Sequence, residues 1–219
     1  MKNEGWKWDV VKDEVWKRPC EESYYYALRW KDKGFRKILD IGSGLGRHSL
    51  HFAKFGFDVS SIDISEEAVN RTKEALESNG YVQNCKKADF RALPFENNEF
   101  DAVFSFLTLS HTNYDGIIKA LDEIHRVVQL GGEIFITINS QESGVFKNSK
   151  YEKIDEYTVI KDNDGPEKGE PHFYANADLV KDLLKDYKIL WLRHAQDIIY
   201  NMENYGGWNY FVHARKESI

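Results

Sequence analysis

The chain has 219 residues, a formal net charge of −6 and a hydrophobic fraction of 42%. This apolar fraction can fill a core and excludes a wholly disordered chain, and the acidic balance disfavours nucleic acid as the main partner because most of the surface would repel phosphate. No apolar stretch approaches the roughly 20 residues that a membrane span requires.

The first 35 residues mix aromatic and charged side chains, and they predict one or two helices. They lack the apolar block of a signal peptide, so we expect a cytoplasmic protein. The two cysteines, Cys20 and Cys85, have neither a metal-binding spacing nor a disulfide framework. Reduced thiols in the cytoplasm are the simplest interpretation of that pair.

From residue 37 onward, short apolar runs alternate with amphipathic segments. KILDIG (37–42) and DVSSID (58–63) are typical of buried strands, and residues 46–56 between them suit a helix. Ser65 predicts the N-cap of a second helix, which Gly80 ends. The remaining predicted strands cover residues 83–88, 100–107, 130–139, 187–194 and 208–215.

Alternation of strands and helices predicts an α/β fold, a three-layer doubly wound sandwich around a mostly parallel sheet. No Gly/Ser linker divides the chain, so we expect a single domain over residues 1–219. Its expected parts are an N-terminal helical cap (1–35), a cofactor-binding core (36–139), an insertion or lid (140–172) and a C-terminal helix with the last strands (173–219). Ligands in such sheets bind beyond the carboxyl ends of the strands.

Three glycines follow the first predicted strand and open the next helix, in the sequence DIGSGLG (40–46). Gly42, Gly44 and Gly46 allow a tight turn and a close approach of a ligand to the backbone. A dinucleotide fingerprint would read G-x-G-x-x-G, and a P-loop would end in GK[ST]. Neither pattern is complete, since Arg47 stands where the last glycine would be. For the loop taken alone, a tight turn without a ligand remains an alternative.

Acidic side chains lie at the same predicted edge of the sheet. Asp63 ends the second strand, where a carboxylate can accept both hydroxyls of a ribose. Asp89 and Phe90 end the third strand, and a polar group beside an aromatic ring can fix a purine. Asp40 lies inside the first strand, where its charge requires buried partners. These residues predict a pocket for an adenosine that carries a short tail without phosphate.

These motifs resemble those of the class I S-adenosylmethionine-dependent methyltransferases over about residues 36–140. ILDIGSGLGRHSLHFAKFGFDVSSIDIS is similar to their glycine loop and the acidic residue after strand two. ADFRALPFENNEFDAVFSF is similar to their adenine-contact motif, and HRVVQLGGEIFITI to the segment before strand five. The resemblance implies a seven-stranded sheet with an antiparallel last strand, S-adenosyl-L-methionine as cofactor, and methyl transfer to a small molecule.

The resemblance also implies roles for individual residues. The implied cofactor-binding residues are Asp40, Gly42, Gly44, Gly46, Asp63, Ile64, Asp89, Phe90 and Phe106. Among them, Asp63 would hold the ribose hydroxyls, and Ile64 and Asp89 would contact the adenine. Phe106 would lie below the sulfonium. GLGRHSLHFAKFGFDV also resembles methyltransferases of the small-molecule and tellurite-resistance types.

Two histidines are candidates for the chemistry of the acceptor. His111 follows the fourth strand on the ligand side, and a histidine there could act as a catalytic base near neutral pH. A loop histidine that only shapes the pocket is the alternative. His172 would face the site if residues 140–172 folded over it.

Aromatic side chains near the N-terminus could surround a cationic or aromatic acceptor, or they could simply pack a helix on the sheet. The candidate substrate-binding residues of this group are Trp16, Tyr24 and Tyr25. The sequence DNDG (162–165) hints at a calcium loop, but its twelfth position is Phe173 rather than glutamate. We therefore expect no metal.

The predicted partner is a small-molecule methyl acceptor, with neither nucleic acid nor membrane, and the predicted assembly is a monomer or homodimer. Two other functions stay open. One is an S-adenosylmethionine-binding module that has no transferase activity. The other is a nucleotide-dependent oxidoreductase on a related sheet, against which Arg47 argues.

Overall fold

The computed structural model describes residues 6, 8, 14–162, 167–196 and 207–218. A short 3-10 helix, Glu14–Lys17, precedes the first α-helix. The helices are α1 (Glu21–Asp32), α2 (Arg47–Lys54), α3 (Glu66–Glu77), α4 (Tyr114–Val127), α5 (Gly144–Lys147) and α6 (Ala177–Leu183). The strands are β1 (Lys37–Ile41), β2 (Asp58–Asp63), β3 (Asn84–Lys87), β4 (Phe100–Ser105), β5 (Val128–Asn139), β6 (Glu152–Lys153), β7 (Thr158–Ile160), β8 (Pro171–Phe173), β9 (Tyr187–Gln196) and β10 (Trp208–Lys216).

The main sheet has seven strands in the order β3-β2-β1-β4-β5-β10-β9. Strands β1 to β5 pair in parallel, whereas β10 is antiparallel to both of its neighbours. The strand order runs outward from β1 to β3 and then resumes with β4 on the other side of β1. This reversal creates a crevice between β1 and β4, which is where such sheets bind ligands.

Apolar clusters cover both faces of this sheet. On one face, Ile117 of α4 and Val180 of α6 are fully buried against the strands. On the other face, Trp30 of α1, Phe52 of α2 and Leu76 of α3 are fully buried. The three-layer, mostly parallel fold with an antiparallel last strand is therefore confirmed.

Helix α1 is attached to the sheet through a buried carboxylate. Glu133 of β5 is fully buried and accepts hydrogen bonds from Nε and Nη2 of Arg29, at 2.9 and 2.8 Å, and from the indole of Trp30 at 3.1 Å. Nε2 of His213 lies 2.9 Å from it, and the Lys33 ammonium lies 3.0 Å away. Although burial by itself raises the pKa of Glu133, these partners lower that pKa well below its usual range.

Residues 140–172 form more regular structure than their polar sequence predicts. They contain α5 and a second, antiparallel sheet of β6, β7 and β8. The Phe173 amide donates to the Ser110 carbonyl at 2.8 Å, so this small sheet is attached to the loop after β4. Its strands have two or three residues, which is too short for a readable hydrophobic period. Of the expected DNDG turn, residues 163–165 lie outside the described part of the chain.

Within the described residues, no helix has both the length and the apolar character that a bilayer crossing requires.

Candidate functional site

The glycine loop forms a tight turn at the carboxyl end of β1. Gly42, Gly44 and Gly46 have φ angles of 77°, 54° and 78°, which side-chain-bearing residues rarely adopt. A Cβ on Gly42 would lie 2.2 Å from Oγ1 of Thr108, and a Cβ on Gly46 would lie 2.9 Å from Cα of Thr72. The first glycine thus packs against the loop after β4, and the third lets α2 approach α3.

Asp63 joins the end of β2 to this loop. The Gly44 amide donates to its Oδ2 at 3.0 Å, and the Ser65 amide donates to its Oδ1 at 2.9 Å. The residue is 8% exposed, and burial raises its pKa despite these backbone hydrogen bonds. Because a carboxylate offers about four lone-pair sites, Asp63 keeps acceptor capacity at the carboxyl edge of the sheet.

Asp40 is buried beneath the loop. It is 1% exposed, and the Ser49 hydroxyl donates to its Oδ2 at 2.5 Å. Burial raises its pKa to about 6, and the nearby charge of Asp63 adds to that shift. The Ser49 hydroxyl also lies 2.8 Å from the Ser61 hydroxyl. The structure thus supplies the buried partners that a charge inside β1 requires.

The predicted adenine-contacting residues lie beyond β2 and β3. Asp89 is paired with Arg91, whose Nε lies 2.9 and 3.0 Å from its two oxygens. Burial alone would raise the pKa of Asp89, but the hydrogen bonds from Arg91 lower it below its usual value. Phe90 is half-buried against the core, and Ile64 is half-buried beside Asp63. Any ligand amino group at Asp89 would share that carboxylate with Arg91.

Phe106 and Trp16 both contact the guanidinium of Arg47. The Arg47 guanidinium carbon is 5.0 Å from the Trp16 ring centre and 5.7 Å from the Phe106 ring centre. Burial lowers the pKa of Arg47. Since Arg47 directly follows Gly46, this contact brings both predicted aromatic residues to the first turn of α2.

Trp8 lies at the glycine loop and was not among the residues that the sequence analysis predicted there. A Cβ on Gly44 would lie 2.6 Å from Cζ2 of its ring, so the indole rests on the glycine loop. Trp8 also contacts Trp6 and Trp16, with ring centres 4.9 and 6.3 Å apart. The run of tryptophans near the N-terminus was the available signal, but it does not indicate which ring reaches the loop.

Tyr24 and Tyr25 point away from this cluster. They are 50% and 57% exposed on the outer side of α1. The ring of Tyr24 contacts His51, and that of Tyr25 contacts Tyr26. The side of α1 that is buried against the sheet carries Tyr26 and Trp30. An acceptor-binding role of Tyr24 and Tyr25 therefore stays a prediction.

His111 and His172 are brought together, as the folding of residues 140–172 over the site would require. Their ring centres are 4.6 Å apart, and Glu167 lies beside both. Burial and the neighbouring His172 lower the pKa of His111 to about 3. A general base works best with a pKa near the working pH, so His111 is a weak base in this state. Glu167 was not among the predicted site residues.

Residues 39–136 match the family described as a methyltransferase domain. This range contains the glycine loop, Asp63 and the loop after β4. This part of the chain therefore resembles a methyltransferase domain.

Curated relatives of this methyltransferase domain differ in the acceptors that their names give. A cycloartenol-C-24-methyltransferase of Arabidopsis thaliana is 31% identical over 134 residues, which is 50% of this chain and 39% of the relative. A sarcosine/dimethylglycine N-methyltransferase of Aphanothece halophytica is 32% identical over 104 residues, 46% of this chain and 37% of the relative. The chain therefore spans well under half the length of these relatives.

The fold of the methyltransferase domain is also found in solved structures. The crystal structure of an S-adenosylmethionine-dependent methyltransferase from Methanosarcina mazei aligns with a TM-score of 0.72 at 21% identity. The alignment covers 84% of this chain and 93% of that protein. The likeness therefore extends beyond residues 39–136 to the flanking elements.

Proposed function

We propose that this chain binds S-adenosyl-L-methionine and transfers its methyl group to a small-molecule acceptor. The observation that carries the proposal is the hydrogen bond from the Gly44 amide to the Asp63 carboxylate. It joins the close-approach backbone of the glycine loop to the carboxylate that would hold the ribose. The match of residues 39–136 to a methyltransferase domain supports the same function.

The glycine loop fits the methionine part of this cofactor. Its backbone allows a group to approach to van der Waals distance, as the Trp8 ring does at Gly44, and this ring would have to move for the cofactor to bind. Asp63 would accept the ribose hydroxyls with the lone pairs that its two amide partners leave available. Ile64, Asp89 and Phe90 would surround the adenine.

The bound cofactor would supply a methyl group already activated on a sulfonium. The chain would then have to orient the acceptor and exclude water, and orientation alone can supply roughly 7–11 kcal/mol. Trp16 and Phe106 would help to exclude water, because both rings contact Arg47 at the first turn of α2. His111 is proposed to contact and orient the acceptor. It is also the proposed base for an acceptor that must lose a proton, although burial makes it a weak base in this state.

The acceptor is proposed to be a small molecule, and the cycloartenol and sarcosine in the names of the two relatives are the first compounds to test. We further propose a cytoplasmic protein that acts as a monomer or homodimer without nucleic acid. The free thiols of Cys20 and Cys85 agree with a reducing compartment.

Binding of the reaction product S-adenosylhomocysteine tests the cofactor. We expect it to raise the melting temperature of the protein, and we expect Asp63→Ala to weaken its binding at least tenfold, about 1.4 kcal/mol, in calorimetry. Asp58→Ala is the matched control, because Asp58 lies at the exposed opposite end of the same strand. Equal affinities of wild type and Asp63→Ala would remove the ribose role of Asp63.

An acceptor screen with isotopically labelled methyl donor, read by mass spectrometry, tests the transfer. Labelled product from a sterol, an amine or another small molecule would support the proposal. Binding of S-adenosylhomocysteine without methyl transfer to any acceptor would favour a binding module that has no transferase activity. Binding of NAD without a response to S-adenosylhomocysteine would favour an oxidoreductase.

A further inference from the structure

Three potential metal ligands converge beside the loop that follows β4. His111, Glu167 and His172 each offer one donor atom, and these atoms lie within 4.8 Å of one another. Oε1 of Glu167 is 3.5 Å from Nε2 of His172 and 3.9 Å from Nε2 of His111. We propose that the three residues form a binding site for a divalent transition metal ion, with Zn²⁺ as the first candidate.

The separations fit a shared ion better than direct hydrogen bonds. Charge-assisted hydrogen bonds from nitrogen to a carboxylate measure about 2.7–2.9 Å, and both distances exceed that range. Two ligands about 2.1 Å from one tetrahedral zinc lie about 3.4 Å apart. The distance of 3.5 Å between His172 and Glu167 is close to this value, and an inward movement of the His111 ring would complete the site.

His172 directs its Nε2 atom at the centre of the cluster. Its Nδ1 lies 2.9 Å from the carbonyl oxygen of Glu170. Because a carbonyl can only accept, Nδ1 carries a proton, and Nε2 is the ring nitrogen that can serve as a metal ligand. The side chain is 1% exposed, and no described residue hydrogen-bonds Nε2. Metal-binding histidines are typically oriented by such a hydrogen bond from their other nitrogen.

The other two ligands are also held by outer contacts. Lys161 pairs with Oε2 of Glu167, which leaves Oε1 directed at the two imidazoles. The His111 amide donates to the Thr108 carbonyl at 3.0 Å. The His111 ring also forms a hydrogen bond with the backbone of Leu107. The cluster therefore has the ligand types of a metal centre and the outer partners that orient them.

Two histidines and one carboxylate are the protein ligands of many catalytic zinc and non-haem iron sites, and they leave coordination positions for water or substrate. The cluster is close to the glycine loop, because Thr108 packs against Gly42 and His111 follows one turn later. An ion here would lie beside the proposed cofactor pocket. Its open position could bind an oxygen or nitrogen atom of the acceptor.

Metal binding can be measured without methyl transfer. The full chain, free of any affinity tag and treated with chelator, is titrated with zinc chloride in a calorimeter. We expect one ion per chain with a micromolar or tighter dissociation constant. His172→Ala and Glu167→Gln should each weaken binding at least tenfold. His125→Ala is the matched control, since His125 lies on α4 against Tyr187.

Cobalt(II) gives a second readout, because coordination by histidine and carboxylate should produce visible absorption bands that His172→Ala abolishes. Circular dichroism checks that the variants are folded. If His172→Ala does not fold, Glu167→Gln tests the site alone, because the Glu167 side chain is partly exposed. Absence of zinc binding, or equal affinity in wild type and Glu167→Gln, would overturn the metal site. Retained S-adenosylhomocysteine binding in that case would leave the proposed function standing.

Discussion

The indole of Trp8 packs directly on the backbone of Gly44, at a distance where a Cβ on the glycine would overlap the ring. The proposed methionine-binding surface is therefore covered by an aromatic side chain from the N-terminal segment. Two neighbouring rings, Trp6 and Trp16, pack edge-to-face within the same cluster.

This contact predicts a fluorescence response to the cofactor. A ligand on the loop has to move the Trp8 ring, whose indole nitrogen is buried without a described partner. We expect S-adenosylhomocysteine to lower and red-shift the tryptophan emission, and Trp8→Phe to remove most of that change. Trp191→Phe is the control, because Trp191 is exposed on β9 at the edge of the sheet. The same response in both variants would contradict displacement of Trp8.

Alanine substitutions at Gly46 and Gly34 together distinguish the cost of backbone strain from the cost of a steric clash. Their φ angles are nearly equal, at 78° and 75°, so alanine at either position should cost about 1–2 kcal/mol through the left-handed conformation. Only at Gly46 would the new Cβ meet a backbone atom, 2.9 Å away at Thr72. Gly46→Ala should therefore lose about 1–3 kcal/mol more in urea unfolding. Equal losses would mean that α2 and α3 can move apart freely.

Asp40 should make stability depend on pH. Its pKa is about 6 in the folded protein, against 3.8 as the reference value, so the folded protein binds this proton more tightly than the unfolded chain does. Through this group, the free energy of unfolding should fall by about 2 kcal/mol as the pH rises from about 4 to about 6. Asp40→Asn should remove that part of the dependence.

The measurement is the difference in unfolding free energy between Asp40→Asn and wild type at pH 4 and pH 7. We expect the variant to gain relative to wild type at the higher pH. Asp58→Asn, at the exposed start of β2, controls for the loss of a carboxylate. A difference that does not change with pH would show that the Asp40 carboxyl is not destabilised by burial.

Glu133 should be the carboxylate whose replacement costs most stability. Glu133→Gln leaves Arg29 and Lys33 without their buried anionic partner, and breaking such a buried pair typically costs about 3–5 kcal/mol. Glu67→Gln is the control, since its pair with Arg71 on α3 is exposed and such pairs contribute about 0–1 kcal/mol. Similar urea midpoints for the two variants would contradict an anchoring role of Glu133.

His111→Ala should separate binding from transfer. The His111 imidazole lies in the cluster with Glu167 and His172. None of the residues proposed above to bind the cofactor is a member of that cluster. We expect slower methyl transfer, at least tenfold, with an unchanged affinity for S-adenosylhomocysteine. Unaltered turnover would contradict both proposed roles of His111, as a base and as a residue that orients the acceptor.

The fold and the arrangement of the glycine loop beside Asp63 were predictable because their signals are local. The glycine spacing in residues 42–46 requires positive φ angles, and Asp63 follows directly from the end of an apolar strand. Parallel strands place their carboxyl ends at one edge, so these residues had to meet. Ser65 likewise caps α3 as predicted, with the Ala68 amide 3.4 Å from its hydroxyl.

Only the tertiary structure determines which side chains from distant parts of the sequence lie near the glycine loop and the loop after β4. Trp8 rather than Tyr24 reaches the glycine loop, because α1 directs its apolar side to the sheet and leaves Tyr24 outside. Glu167 and His172 meet His111 only because β8 pairs with the loop after β4. Contacts between residues so far apart in sequence depend on how the elements pack, and no spacing or periodicity in the sequence encodes that packing.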